Sequence, residues 1–164
     1  MIRYCSRCWG ESAWEATVCA HCGTSLEEEA EGFVDKLIAA VRHPEPTRAG
    51  LAIHILGERL REPRAVAPLI ALLDQTRDPY LLRSAVEALG RLGDTRAVSA
   101  LSRLLHDPSA SVMVRVAAAQ ALAQIGGKVA IEALSALPPD VPTSVEGAAQ
   151  QALTELRERQ VGQE

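Results

Sequence analysis

Apolar and polar residues follow the period of amphipathic helices over most of the chain. The first such stretch begins at Leu26, and its apolar residues stand three or four positions apart, which predicts one apolar helix face. Ser25 lies three places before Glu28, a pattern that is typical of a helix start. We therefore predict a first helix over residues 26–42 that begins with this capping box.

Apolar positions also recur at a period of 32 or 33 residues, which indicates an internal repeat. One set is separated by 32, 32 and 33 positions and consists of Val34, Val66, Val98 and Ile131. A second set is separated by 33 positions and consists of Leu56, Leu89 and Leu122. In addition, the segment AAAQALAQI at 117–125 returns as AAQQALTEL at 148–156.

Each repeat divides at short turn segments such as TRDP and HDPS, which predicts two helices, A and B, per repeat. The predicted A helices lie near residues 26–42, 64–74, 95–106 and 128–137. The predicted B helices lie near residues 46–60, 79–92, 110–125 and 143–159. Because one helix pair cannot bury its apolar face alone, the pairs must stack around a continuous core. The pattern therefore predicts an all-α solenoid of about four helix pairs.

Composition and charge narrow the picture further. Hydrophobic residues make up 48% of the 164 residues and aromatic residues only 3%, so the helices must pack through aliphatic side chains. Residues 1–31 contain two basic and six acidic side chains, whereas the rest of the chain contains 15 of each. Since neither part has a surplus of basic residues, we do not expect a nucleic-acid partner.

The sequence also bears on location. Its first residues lack the apolar segment of a signal peptide, and no run of about 18 apolar residues predicts a transmembrane helix. We therefore expect a cytoplasmic protein with no membrane partner. In that compartment cysteines stay reduced, and paired CxxC motifs favour a metal ion over disulfides.

All four cysteines lie near the amino terminus, in two CxxC pairs separated by ten residues. Two facing CxxC turns can present Cys5, Cys8, Cys19 and Cys22 as the four thiolates of a closed tetrahedral Zn²⁺ site. We predict one structural Zn²⁺ per chain, which supplies most of the folding free energy of a module over residues 1–25. Two disulfides, a redox CxxC pair and a catalytic zinc are weaker alternatives, and His21 is a possible substitute ligand.

The stretch YCSRCWGESAWEATVCAHCGTSL resembles the short zinc-ribbon modules found at the ends of many bacterial and archaeal proteins. The resemblance covers about residues 3–26 and implies a small ribbon around the metal. Gly23 follows the second CxxC pair as the pattern requires, but Trp9 follows the first, which predicts a shifted or strained turn there. Trp9 and Trp14 either cover the metal site or form a platform that binds a partner.

The stretch DPYLLRSAVEALGRLGDTRAVSALSRLL resembles HEAT-like repeats of the phycobilisome-lyase type. The resemblance covers about residues 33–157 and implies a short right-handed α-solenoid of about four HEAT-like helix pairs over 26–164, with the B helices on its concave side. It also implies that Asp78, Asp107, Arg83 and Arg115 bond between neighbouring units. It does not specify the function, because proteins of this superfamily include scaffolds, chromophore lyases and hydroxylases.

Polar residues recur at equivalent positions of the predicted B helices, 33 residues apart. They form two sets, and these consist of His54, Glu87 and Gln120, and of Glu58, Arg91 and Gln124. Their chemistry differs from one repeat to the next while the core positions stay apolar. Either they are merely solvated, or they form a surface that binds a partner.

Residues that would support an enzyme do not converge in the sequence. His54 and Glu58 stand four residues apart on one predicted helix, but one such pair is not a metal site, and no serine has an obvious paired base. We therefore predict a non-catalytic scaffold or adaptor that binds a protein or peptide. A chromophore-lyase-like or other enzyme-accessory protein is the alternative.

Overall fold

The amino-terminal module is a small ribbon. The computed structural model describes residues 2–5, 7–26 and 32–161. Strands β1 (Ile2–Tyr4) and β2 (Glu11–Ala13) pair antiparallel, with Arg3 opposite Ser12. A single bridge between Val18 and Ser25 closes the second half of the module.

Eight α-helices follow within the described residues and form four consecutive pairs. The A helices are α1 (Phe33–Ala40), α3 (Val66–Gln75), α5 (Val98–His106) and α7 (Lys128–Ser135). The B helices are α2 (Pro46–His54), α4 (Pro79–Leu92), α6 (Val112–Ile125) and α8 (Thr143–Val161). Each B helix packs on the next, α2 on α4, α4 on α6 and α6 on α8. The predicted all-α solenoid preceded by a small ribbon is confirmed.

Most helix boundaries fall within two residues of the prediction because the turn chemistry is local. The carboxylate of Asp78 accepts hydrogen bonds from the amides of Tyr80 and Leu81, which caps the start of α4. Gly93 ends the same helix with a positive φ of 69°, a conformation in which glycine has no steric penalty. Short 3₁₀ turns at Pro63–Ala65 and Thr95–Ala97 lead into α3 and α5.

The first helix differs from the prediction. It runs over Phe33–Ala40 rather than over 26–42, and Leu26 does not join its apolar face. The side chain of Leu26 instead packs with Cys5 and Cys19 in a separate cluster inside the ribbon. Glu28 of the predicted capping box lies in 27–31, outside the described residues.

The first B helix also departs from regular geometry, because α2 continues as a π-helical segment over Ile55–Arg59. Its last turn closes with a hydrogen bond from the amide of Leu60 to the carbonyl of Ile55. Arg61 follows with a positive φ of 48°, whereas the corresponding residue after α4 is Gly93. The first unit therefore ends on a side chain in a conformation that favours glycine.

The core is a continuous aliphatic layer. The leucines predicted from the repeat are buried in every unit, and they include Leu37, Leu69, Leu101, Leu134, Leu56, Leu89 and Leu122. Two glycines of the B helices allow the next helix to come close. A Cβ atom at Gly57 would lie 2.6 Å from the Cβ of Ala88, and one at Gly90 would lie 2.9 Å from the Cα of Ala121. The small residues at these crossings set the close packing of α2, α4 and α6.

The Asp–Arg bonds expected between units are wrong for the four residues named. Asp78 caps its own helix, and Asp107 accepts from the amide and the hydroxyl of Ser109. Arg115 is buried, and its Nε donates to the carbonyl of Leu105 at 2.9 Å. This bond joins α5 to α6 inside one unit, because the guanidinium satisfies a carbonyl of the last turn of α5.

Candidate functional site

The four cysteines converge at one end of the ribbon. Their sulfur atoms all lie within 4.8 Å of one another, and the shortest separations are 3.5 Å for Cys5–Cys22 and 3.6 Å for Cys8–Cys19. A tetrahedral ion with metal–sulfur bonds of about 2.3 Å requires sulfur atoms about 3.8 Å apart. The cluster therefore has the donor set and the size that a metal ion needs, as in a zinc-ribbon-like module.

The two CxxC turns have the same backbone geometry. In the first, the amide of Trp9 donates to the carbonyl of Cys5 at 2.8 Å, and in the second the amide of Gly23 donates to the carbonyl of Cys19 at 3.0 Å. Trp9 has a φ of 61° and Gly23 a φ of 71°. The first turn is therefore not shifted, and a tryptophan occupies the left-handed position that glycine occupies in the second.

Electrostatics inside the cluster show why a cation belongs there. Hydrogen bonds from the side chain and backbone of Thr24 lower the pKa of Cys22 to about 6. The backbone amide of Gly10 lowers the pKa of Cys8, but the neighbouring thiols outweigh this effect and raise it to about 12. Four sulfurs this close cannot all ionise without a compensating positive charge. A bound divalent cation would supply that charge.

His21 lies beside the cluster without joining it. Its backbone amide donates to the sulfur of Cys19 at 3.4 Å, which lowers the pKa of Cys19 together with the amide of Cys22, the larger cause. Its imidazole ring covers Gly10, where a Cβ would lie only 2.4 Å from the ring. The ligand group found among the described residues consists of the four cysteines alone.

The two tryptophans have different surroundings. Trp9 is half-buried and packs against the main hydrophobic core of the helices, as does the buried Tyr4. The hydroxyl of Tyr4 donates to Glu11 at 2.9 Å, and burial is the main cause that raises its pKa. Trp14 is 50% exposed, with the guanidinium of Arg3 5.9 Å from its ring centre. Trp9 thus joins the ribbon to the helices, and Trp14 faces solvent.

The predicted polar positions of the B helices lie side by side across the molecule. We call this surface the B-helix face, and its predicted members are His54, Glu58, Glu87, Arg91, Gln120 and Gln124. Glu58 accepts from Arg91 of the next unit at 2.8 Å, and the Nδ1 atom of His54 lies 3.9 Å from the same carboxylate. Glu87 pairs with Arg83 at 2.6 Å. The first half of this face is therefore charged, and its charges are paired.

The second half of the B-helix face consists of uncharged amides between shallow grooves. A groove of about 200 Å³ between α4 and α6 and one of about 220 Å³ between α6 and α8 share the side chains of Gln120 and Gln124. Alanines contribute to both grooves, and they include Ala117, Ala121, Ala123, Ala148 and Ala152. Both glutamines are exposed on the ridge between the grooves.

The sequence prediction missed the last members of this face. Gln151 and Glu155 on α8 line the second groove opposite Gln120 and Gln124. A fixed period of 33 leads from Gln120 to an apolar residue instead. The repeated segment AAAQALAQI does contain the signal, because its copy at 148–156 begins only 31 residues later. Aligning that copy places Gln151 and Glu155 at the two polar positions.

Two family models match the helical part of the chain. The family described as HEAT repeats matches residues 34–113, and the family described as PBS lyase HEAT-like repeat matches residues 114–137. The chain is a HEAT-repeat protein. Together the two matches span α1 to α7 of this HEAT-repeat protein without a gap, and they support a repeat scaffold. No curated protein matches the chain.

The helices of the solenoid do not have the character of membrane spans. Among the residues that the structure describes, no helix has both the length and the apolar character needed to cross a bilayer.

Proposed function

We propose that this HEAT-repeat protein is a non-catalytic adaptor that docks a protein or peptide on its B-helix face. The observation that carries the proposal is the row of polar side chains on four successive B helices, directly above a fully buried aliphatic core. HEAT repeats generally mediate protein interactions, and solenoids use such extended surfaces for binding. The row gives every unit one exposed contact position with its own chemistry.

Non-catalytic character is part of the same proposal. On the B-helix face the ionised groups neutralise one another, as in the pairs Glu58–Arg91 and Arg83–Glu87. The grooves beside Gln120 are shallow and open, and their walls offer amide and methyl groups rather than a nucleophile with a base. Such a surface suits recognition better than bond cleavage.

The metal in the proposal is one structural Zn²⁺ held by Cys5, Cys8, Cys19 and Cys22. Four thiolates at tetrahedral distances suit zinc and leave no open position for substrate. Because Trp9 and Tyr4 pack against the helices, the ribbon would cover the first end of the repeat stack. Elemental analysis of the purified chain should give about one zinc per chain.

A pull-down from an extract of the protein's own source tests the docking surface. The test variant Glu58→Ala/Glu87→Ala/Arg91→Ala alters the B-helix face, and the matched control Asp74→Ala/Arg103→Ala removes an exposed ion pair between α3 and α5. We expect the triple variant to lose a partner that the wild type and the control retain. Equal retention by all three proteins would contradict the proposal.

A chromophore-lyase-like accessory role is the second candidate. The match to the PBS lyase HEAT-like repeat over residues 114–137 favours it, since α6 and much of α7 lie in that match. A lyase of this kind would carry or transfer a pigment. Visible absorbance of the protein purified from its own source would support the second candidate, and a colourless preparation would favour the adaptor.

A further inference from the structure

The two halves of the B-helix face differ in how far their polar groups are already satisfied. In the first half, Glu58 and Glu87 form ion pairs with Arg91 and Arg83. In the second half, Gln120 and Gln124 have no hydrogen-bond partner within the described chain, although both are exposed on the ridge between two grooves. A ligand would have to break existing ion pairs in the first half, whereas the second half offers unused donors and acceptors.

The unused groups have a specific chemistry. A glutamine amide offers one carbonyl acceptor and two N–H donors, the same two kinds of group that a peptide main chain offers in return. The Oε1 atom of Gln124 lies 2.7 Å from the point where a Cβ of Gly90 would stand, so the absence of a side chain there makes room for the amide. Gln151 on α8 carries a third amide on the far wall of the second groove.

The spacing of the helices matches an extended chain. Packed helices lie about 8–10 Å apart, and an extended peptide advances about 3.3 Å per residue, so about three residues cross from one B helix to the next. Alanines such as Ala117 and Ala148 line the grooves and leave room only for small side chains. No unpaired charge lies between Arg91 and Glu155 on this described face to attract a charged segment, because Glu155 accepts from Gln151 at 3.0 Å.

We propose that the second half of the B-helix face binds an extended, uncharged peptide segment with small side chains through its main-chain groups, with Gln120 and Gln124 as the central contacts. The inference rests on the adaptor function proposed above and adds the class of ligand and the place where it binds. The paired charges of the first half then border the peptide without providing its main contacts.

The test uses the full chain and a displayed library of random linear peptides as the probe. Peptides selected on the wild type are synthesised, and their affinities are compared for the wild type, Gln120→Ala/Gln124→Ala and Glu58→Gln/Arg91→Gln. Gln150→Ala is the matched control, because Gln150 also lies exposed on α8 but bonds to Glu146 and lines a different groove. Circular dichroism establishes that each variant is folded.

We expect the double glutamine variant to weaken binding about tenfold or more, which corresponds to two lost hydrogen bonds of about 0.5–1.5 kcal/mol each. The control and Glu58→Gln/Arg91→Gln should stay within about twofold, and N-methylation of the peptide main chain should abolish binding. A ligand that needs Glu58 and Arg91 but not the glutamines would overturn this inference and leave the adaptor proposal intact. Selected peptides that are highly charged, or a library that yields no binder, would also overturn it. Binding lost only in Asp74→Ala/Arg103→Ala would contradict both proposals.

Discussion

Replacing Gly90 by alanine measures how closely the B helices pack. A Cβ at this position would lie 2.9 Å from both the Cα and the Cβ of Ala121, closer than real Cβ atoms come to other heavy atoms. The backbone of α6 must therefore move away from α4, and overpacking of this kind costs about 1–3 kcal/mol. Alanine also gains about 1 kcal/mol over glycine in a helix interior. The net result expected for Gly90→Ala is a loss of up to about 2 kcal/mol.

Two other helical glycines serve as matched controls. A methyl group added at Gly50 in α2 or at Gly147 in α8 would meet no atom within 4 Å, so alanine should stabilise each by about 0.5–1 kcal/mol. Urea unfolding followed by circular dichroism gives the free energy of unfolding of all three variants. The difference between Gly90→Ala and Gly50→Ala isolates the packing cost. If Gly90→Ala stabilises the protein as much as the controls do, the described contact between α4 and α6 is wrong.

Three single residues give further predictions. Arg61→Gly should raise the free energy of unfolding by about 0.5–1 kcal/mol in urea titrations, since it removes a side chain from a left-handed position; unchanged or lower stability would contradict the geometry. Arg115→Leu should lower it by about 1–3 kcal/mol, because a buried carbonyl at the end of α5 loses its donor, and a change below about 0.5 kcal/mol would refute that role. In Trp14→Phe, Trp9 is the remaining tryptophan, and its fluorescence should shift to the red when a chelator removes the metal, whereas an unchanged spectrum would mean that the ribbon and the helices are not coupled.

The repeat architecture could be predicted from the sequence because its signals are local and recur. The spacing of Leu37, Leu69 and Leu101 placed the A helices, and all three side chains are buried. Turn residues such as Asp78 and Gly93 bounded α4, because their capping geometry depends on neighbours only two to four residues away. The convergence of the four cysteines was predictable for the same reason, from two equivalent turns.

Features that depend on contacts between distant segments could not be predicted. A tryptophan after the first CxxC pair suggested a distorted turn, whereas the turn is regular and Trp9 uses its position to reach the core of the helices. The π-helical segment Ile55–Arg59 keeps apolar residues in the core and leaves no mark on the pattern. Leu26 fitted the helix period equally well as a member of α1 or of the ribbon, and only the packing decides.

Docking of a partner on the B-helix face is the central claim, and hydrogen–deuterium exchange on the captured complex tests it most directly. The backbone amides of α4, α6 and α8 should exchange more slowly in the complex than in the free protein, while those of α3 and α5 should be unchanged. Protection confined to α3 and α5, or to the ribbon around Trp14, would contradict the claim.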